Sequence, residues 1–157
     1  MTEASISVLD QRRIEAAVLK PLVQEFEAEL GREKTRAILE RVIKSLAREK
    51  GREMAAAAPG NGLDTFAGMK EPWTRNGALE FEVLEESAER YSFNVTRCKY
   101  AEMYRELGLE DLGFHLSCNR DATLIEGFNP DLELQRSQTL MEGASHCDFR
   151  YKPRESA

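Results

Sequence analysis

The chain has 157 residues, of which 41% are hydrophobic and 32% are charged, and this composition is typical of one ordinary globular domain. Its formal net charge is −6 and its lysines and arginines are dispersed, which argues against nucleic-acid binding. Apolar runs are shorter than the roughly 20 residues of a membrane span, and the N-terminus lacks a secretory pattern. We therefore expect a cytoplasmic protein with no membrane partner.

The first part, residues 1–58, is predicted to form a helical hairpin. Asp10 can cap the first helix, and Pro21 is expected to kink that helix or to start a new one. Apolar residues every four positions predict a buried stripe on this helix: Ile14, Val18, Leu22, Phe26 and Leu30. A second helix is predicted from about 33 to 50, with Gly51 after it and residues 54–58 as an extension. Its predicted apolar face consists of Ile38, Leu39, Val42, Ile43 and Leu46. The hairpin is interpreted as a scaffold or a dimer surface, so a homo-oligomer is one expectation.

Residues 59–77 are predicted to be a connecting loop, because Pro59 and the glycines after it end the helical pattern. The loop contains Phe66, Met69 and Trp73, which are apolar enough to lie against the body of the domain. A loop of this length is often a lid or a pocket wall. Trp73 could form such a wall, or it could pack in the core.

The sheet part, residues 78–151, carries all the cysteine and histidine motifs. Alternating apolar residues predict antiparallel strands starting at 79 and 91, a third strand at 132–136 and a final strand at 147–151. Helices are expected at 99–107 and 109–117, and residues 118–121 are expected to lead into a turn at 127–130. The whole chain, 1–157, is predicted to be a single α+β domain: an N-terminal helical hairpin followed by an antiparallel sheet of about four strands with inserted helices.

Reactive side chains are concentrated between residues 98 and 147, which include all three cysteines and both histidines. Cys147 is flanked by His146 and Asp148. A thiol close to an imidazolium and backbone donors would have a lowered pKa and would be a better nucleophile. The alternative is that Cys147 is a small buried hydrophobic residue, as cysteines in strands often are.

A zinc site is the second interpretation of the same residues. Three sulfurs and one nitrogen form a tetrahedral zinc ligand set, which would consist of Cys98, Cys118, Cys147 and His146. The spacing gives no specific support, because no two cysteines form a Cys-x-x-Cys pair. No cofactor is expected, and zinc is the alternative.

Several polar residues are candidates for acid–base chemistry or substrate binding. Asp121 is the preferred carboxylate, because Asn119, Arg120 and Asp121 follow Cys118 directly. Glu142 and Asp148 are further candidate carboxylates. Arg120 and Arg136 could hold a substrate carboxylate, since a guanidinium binds a carboxylate in bidentate fashion. His115 is interpreted as structural.

Five segments together resemble the L-2-amino-thiazoline-4-carboxylic acid hydrolase family over roughly residues 10–151. They are CKYAEMY at 98–104, CNRD at 118–121, GFNP at 127–130, RSQTLMEG at 136–143 and HCDFRY at 146–151. The resemblance implies hydrolytic opening of a small cyclic amidine or thiazoline carboxylic acid at a C–N or C–S bond, giving a carbamoyl-cysteine product. The partner it implies is thus a small, anionic, cyclic substrate.

The resemblance also implies roles for the motif residues, with Cys98, Cys118 and Cys147 at the reacting centre. Our hypothesis assigns Cys147 as the nucleophile, His146 or Asp148 as its proton partner and Asp121 as acid or base. Substrate binding is assigned to Arg120, Arg136, Asn119 and Glu142. The last strand also resembles vinyl-reductase-type small-ligand domains, which have helices packed on an antiparallel sheet. That likeness implies the rival function, a non-catalytic sensor that binds a small molecule or zinc.

Overall fold

The protein is described from a computed structural model for residues 5–156; residues 1–4 and 157 of the predicted domain lie outside this range. Two long helices, α1 (Val8–Leu30) and α2 (Arg32–Ala57), form the N-terminal hairpin and meet at Gly31. Gly31 has φ of +83°, a conformation that glycine adopts without strain. The predicted cap Asp10 is wrong: Ser7 is the N-cap, and its hydroxyl accepts from the Asp10 N–H at 3.1 Å. α1 continues without interruption through Pro21.

The stripe predicted to be buried on α1 is exposed, and this prediction is wrong. Arg12, Ala16 and Val23 are the buried residues of α1. On α2, Leu39 and Ile43 are buried as predicted, whereas the rest of its predicted apolar face is exposed: Ile38, Val42 and Leu46. The reason is that helical spacing identifies an apolar face without indicating what covers it. The buried side of α1 combines Arg12, which lines a cavity, with Ala16 and Val23, which pack in the core.

The second helix was predicted to end before Gly51, with residues 54–58 as an extension; α2 runs unbroken through Gly51 to Ala57, which confirms the extension. Gly51 is buried where α2 crosses a later helix. The predicted loop at 59–77 contains two short helices, α3 (Leu63–Gly68) and α4 (Glu71–Thr74), and a 3-10 turn. These helices pack beside the sheet and supply one wall of the cavity.

Four antiparallel strands form the sheet, as the sequence predicts. They are β1 (Leu79–Glu86), β2 (Tyr91–Cys98), β3 (Leu132–Gln135) and β4 (Cys147–Pro153), in the order β1-β2-β4-β3. In the central pair β2–β4, Val95 is opposite Cys147 and Phe93 is opposite Phe149. The predicted α+β class, with a helical hairpin and a four-stranded sheet, is confirmed.

Helices inserted between the strands complete the fold. They are α5 (Lys99–Glu106), α6 (Glu110–Gly113), a π-helical turn (Phe114–Cys118) and α7 (Arg120–Phe128). Helix α7 was missed, because the glycine at 127 indicated a turn; Gly127 lies instead inside α7 where it meets α2. Within residues 5–156, no helix has the length and apolar content needed to cross a lipid bilayer.

Candidate functional site

A cavity of about 420 Å³ lies between the hairpin, α7 and the inner face of the sheet. Three cysteines and eight charged residues line it, together with Trp73, Tyr100 and Phe149. These cysteines are Cys98, Cys118 and Cys147, and the charged residues are Arg12, Glu15, Glu49, Lys50, Glu53, Arg120, Asp121 and Arg136. The fold therefore brings the sequence-predicted thiols and guanidinium groups together from positions far apart in the chain.

Each cysteine reaches the cavity from the end of a secondary-structure element. Cys98 ends β2 and caps α5, and its Sγ accepts the Ala101 N–H at 3.4 Å. Cys118 is the last residue of the π-helical turn before α7. Cys147 begins β4, and its Sγ accepts the Leu140 N–H at 3.2 Å. All three are free thiols.

Asp121 and Arg136 form the ion pair beside these thiols. Arg136 Nη1 donates to Asp121 Oδ2 at 2.6 Å, and its Nη2 donates to the Cys118 carbonyl oxygen at 3.0 Å. The guanidinium also lies over the Phe149 ring, 5.0 Å from its centroid. Arg136 is therefore fixed by three different contacts, and it holds the Asp121 carboxylate at the cavity wall.

A second charged group closes the hairpin side of the cavity. Arg12 Nη1 donates to Glu15 Oε1 at 3.0 Å, and Arg120 Nη2 donates to Glu15 Oε2 at 3.2 Å. Over the whole lining, the cations Arg12, Lys50, Arg120 and Arg136 balance the carboxylates Glu15, Glu49, Glu53 and Asp121, so the formal charge is zero. Within the hydrogen-bonded group, however, the two guanidinium groups of Arg12 and Arg120 share the single carboxylate of Glu15.

Arg12, which no sequence motif indicated, is 9% exposed and lines this cavity. One sequence signal could have identified it. Arg12 lies on the side of α1 opposite the apolar stripe, together with Ala16, and it is three residues before Glu15. A charged residue with such low exposure needs a partner, and Glu15 is that partner.

Burial changes the pKa values of the site. It raises the pKa of Cys98 to about 11 and that of Cys118 well above its ordinary value. Burial also raises the pKa of Cys147, although the Leu140 N–H and the Arg136 guanidinium oppose the change. The pKa of Asp121 is raised by burial against the effect of Arg136. All three thiols are therefore protonated at neutral pH.

Four predicted site residues do not line this cavity: Asn119, Glu142, His146 and Asp148. Asp148 accepts hydrogen bonds from the N–H and hydroxyl groups of Ser137 and from the Gln138 N–H, so it fixes the chain after Arg136. His146 Nδ1 is 2.9 Å from the Ser145 hydroxyl. Glu142 accepts the Thr139 hydroxyl at 2.7 Å.

The zinc interpretation does not fit this arrangement. Among residues 5–156, no group of three or more His, Cys, Asp or Glu side chains is arranged to hold a metal ion. The alternative set of Cys98, Cys118, His146 and Cys147 is thus not assembled, because His146 lies outside the cavity that the three thiols share.

Thiol alkylation is expected to be slow at pH 7 and to accelerate strongly as the pH rises toward 10. A raised pKa lowers the thiolate fraction at neutral pH, and only the thiolate reacts. Each unit by which the pH rises should therefore increase the alkylation rate about tenfold, until the pH reaches the pKa of the thiol. Iodoacetamide kinetics with peptide-resolved mass spectrometry measure the rate at each cysteine. The control is the same protein in urea, where exposed thiols should react faster at pH 7. Equal rates in folded and unfolded protein would contradict the assigned pKa directions.

Comparison with solved structures defines the class of fold. The phenol-responsive sensory domain of the transcription activator PoxR, solved with phenol, is similar with a TM-score of 0.56 and 15% identity, covering 88% of this chain and 74% of that one. A trafficking protein particle complex subunit 3 from Naegleria fowleri, covalently bound to palmitic acid, is similar with a TM-score of 0.51 and 12% identity, covering 92% and 96%. At these identities the likeness shows a shared fold alone.

The family is defined by sequence. Residues 11–151 match the L-2-amino-thiazoline-4-carboxylic acid hydrolase family, and the chain belongs to this family. The resemblance inferred from the five motif segments is thus confirmed. A search of curated proteins gave no significant match.

Proposed function

We propose that this chain is a hydrolase that opens a small cyclic amidine or thiazoline carboxylic acid, with Cys147 as its nucleophile. The observation that carries the proposal is the single cavity in which three thiols, the Asp121–Arg136 pair and the guanidinium groups of Arg12 and Arg120 meet. Membership of the hydrolase family supports the class of reaction.

The arginines account for binding of the substrate carboxylate. Arg12 and Arg120 both donate to Glu15, so two guanidinium groups share one carboxylate at this point of the cavity. Burial lowers the pKa of Arg120 to about 10, and the neighbouring Arg12 charge contributes to this change. A second anion beside Glu15 would stabilise both guanidinium groups, and a substrate carboxylate supplies it.

Cys147 is preferred over the other two thiols because of what surrounds its sulfur. Its thiolate would be stabilised both by the Leu140 N–H and by the Arg136 guanidinium. Cys98 has backbone donors, and Cys118 has the guanidinium, but neither has both kinds of group. Asp121, whose charge acts on all three thiols, takes the role of proton acceptor that the sequence analysis assigned to His146 or Asp148.

The reaction then proceeds in two balanced steps. Asp121 takes the Cys147 proton, the sulfur attacks the ring carbon between the heteroatoms, and the ring C–S bond breaks. Asp121 returns the proton to the departing ring sulfur. Water next attacks the same carbon, Cys147 leaves as a thiol, and substrate plus water gives the carbamoyl product with one free thiol.

A non-catalytic binding domain is the second candidate. The observation that favours it is that burial keeps all three thiols protonated, which is unfavourable for a nucleophile. The two proteins of similar fold are described with phenol and with palmitic acid, so small-molecule binding also fits this fold.

A turnover assay separates the two candidates. Purified protein is incubated with excess L-2-amino-thiazoline-4-carboxylic acid, and the carbamoyl product is followed by mass spectrometry. The hydrolase proposal predicts many product molecules per protein and a loss of about 10²–10⁴-fold in kcat for Asp121→Asn. Asp131→Asn, at an exposed carboxylate outside the cavity, is the matched control and should keep wild-type kcat. Stoichiometric binding without product would establish the binding domain instead.

A further inference from the structure

A second, apolar cavity of about 100 Å³ adjoins the first. We call it the aromatic annex. Its apolar walls are Met54, Phe66, Met69, Phe81, Tyr91, Phe93 and Tyr151. Five residues line both cavities, so the two spaces are direct neighbours: Trp73, Leu79, Asp121, Leu124 and Phe149.

The walls of the annex leave apolar surface facing the space between them. Phe93 stacks on Phe149 with ring centroids 4.8 Å apart and meets Phe81 edge-on at 5.7 Å, yet all three remain only half-buried. Lys70 is the one cation that lines it among the described residues, and its Nζ is 3.8 Å from Glu86 and 5.7 Å from the Tyr91 centroid. An alkyl or aryl group would cover this surface without leaving a buried charge unpaired.

The polarity of the lining differs between the two cavities. Arg12, Arg120 and the three thiols line only the first cavity, Asp121, Trp73 and Phe149 line both, and the remaining aromatic residues line only the annex. Cavities of roughly 300–1,000 Å³ hold drug-sized ligands. A five-membered ring with one carboxylate and one amino group is much smaller than that, so it leaves the annex unfilled.

We propose that the substrate of this chain carries an alkyl or aryl substituent on its ring, which occupies the aromatic annex while the carboxylate lies at Arg12 and Arg120. The inference rests on the proposed function for the identity of the ring and the carboxylate. It assigns the specificity of the enzyme to the annex and the chemistry to the thiol-lined cavity.

Binding measured without turnover tests the annex. Trp73 is the only tryptophan of the chain and lines both cavities, so its fluorescence reports occupancy. The probes are 2-amino-thiazoline-4-carboxylate and its 5-phenyl derivative. We expect the phenyl compound to bind at least tenfold more tightly, because a buried ring removes a large apolar area from water. Equal affinities would overturn the inference.

A matched pair of variants tests whether the tighter binding of the phenyl compound arises in the annex. Thr74→Phe places a ring at the annex wall and should abolish the tenfold preference, whereas Thr96→Phe, on exposed β2 surface, should retain it. A preference that survives Thr74→Phe would overturn the annex as the substituent site. Turnover of the bare acid with no phenyl preference would refute only the annex. A phenyl preference with no turnover of either acid would refute only the hydrolase function.

The outer face of the hairpin supports a second inference. Large apolar side chains are exposed along the outer face of the hairpin, with exposures of 41–65% on α1. They are Ile14, Val18, Leu22, Phe26 and Leu30 on α1, and Ile38 and Val42 on α2. An exposed apolar surface of this extent, on consecutive helical turns, is typical of a protein–protein interface. We call it the hairpin stripe.

The charges beside the hairpin stripe indicate which partner it fits. Exposed Arg13 lies near the beginning of α1, and exposed Glu25 and Glu29 lie near its end. Antiparallel pairing of two α1 helices about a two-fold axis at Leu22 would bring Arg13 of each copy close to Glu29 of the other. We infer that the hairpin stripe binds a second copy of this chain and that the protein is a two-fold homodimer.

Sedimentation at micromolar concentration tests the dimer. Wild-type protein should be dimeric, and Leu22→Glu should be monomeric because two like charges would meet at the axis. The control Leu84→Glu changes an exposed leucine on β1 and should stay dimeric. Arg13→Glu should weaken the dimer, and the added change Glu29→Arg should restore it. A monomeric wild type, or a dimer unaffected by Leu22→Glu, would overturn the inference.

Discussion

Cys147→Ser is expected to lower kcat by at least about 10³-fold while the protein keeps its fold. Loss of a nucleophile removes the covalent route entirely, and such losses are among the largest seen for single residues. The hydroxyl is a much weaker nucleophile than a thiolate at neutral pH. Leu140 N–H can still donate to the serine oxygen, so the local hydrogen bond is conserved.

The stability of the Cys147→Ser variant separates catalysis from packing. Cys147 is 6% exposed, and a buried hydroxyl without a full set of partners costs about 1–3 kcal/mol. Urea unfolding and kcat should therefore change very unequally. Cys98→Ser is the matched control, since it alters a thiol in the same cavity that lacks the guanidinium; it should retain most of kcat. Equal activity losses in both variants would contradict the assignment of Cys147.

Gly51→Ala and Gly127→Ala are each expected to lower the free energy of unfolding by about 2–3 kcal/mol or more. A Cβ on Gly51 would lie 2.1 Å from the Leu124 carbonyl oxygen, and a Cβ on Gly127 would lie 2.1 Å from that of Arg48. Both obstacles are backbone atoms of the opposing helix, so α2 and α7 must separate. Helix α7 carries Arg120 and Asp121, and we expect the separation to reduce activity as well.

The control for these variants is Gly68→Ala, at the end of α3. A Cβ there meets no atom within 4 Å, and the backbone needs no positive φ. Its unfolding free energy should change by less than about 1 kcal/mol. Urea denaturation followed by circular dichroism measures all three variants. A similar stability for Gly51→Ala and Gly68→Ala would contradict the close helix crossing.

The architecture could be predicted from the sequence because its signals are local. Period-two alternation identified all four strands, and helical periodicity identified the hairpin. The α1 stripe was assigned to the wrong environment because spacing cannot show whether a face meets the core, another chain or solvent. Gly51 was interpreted as the residue after a helix and Gly127 as part of a turn, but each is required where two helix backbones meet, which is a long-range contact that no local pattern contains.

The candidate site could be predicted only in part. The motif segments indicated that Cys98, Cys118, Cys147, Asp121 and Arg136 belong together, and they line one cavity. His146 and Asp148 were selected for being adjacent to Cys147 in sequence. Asp148 follows Cys147 in β4, where alternate side chains point to opposite faces, so it faces away from the thiol. Arg12 was missed because it comes from α1, more than 80 residues before the first cysteine.

Rapid acid quenching during turnover, followed by peptide mass spectrometry, tests the central claim most directly. If Cys147 attacks the ring carbon, the ring opens without losing any atom, and the peptide that contains Cys147 should gain the full mass of the substrate. Peptides that contain Cys98 and Cys118 should keep their mass. Product formation with an unmodified Cys147, or an adduct on another residue, would contradict the account.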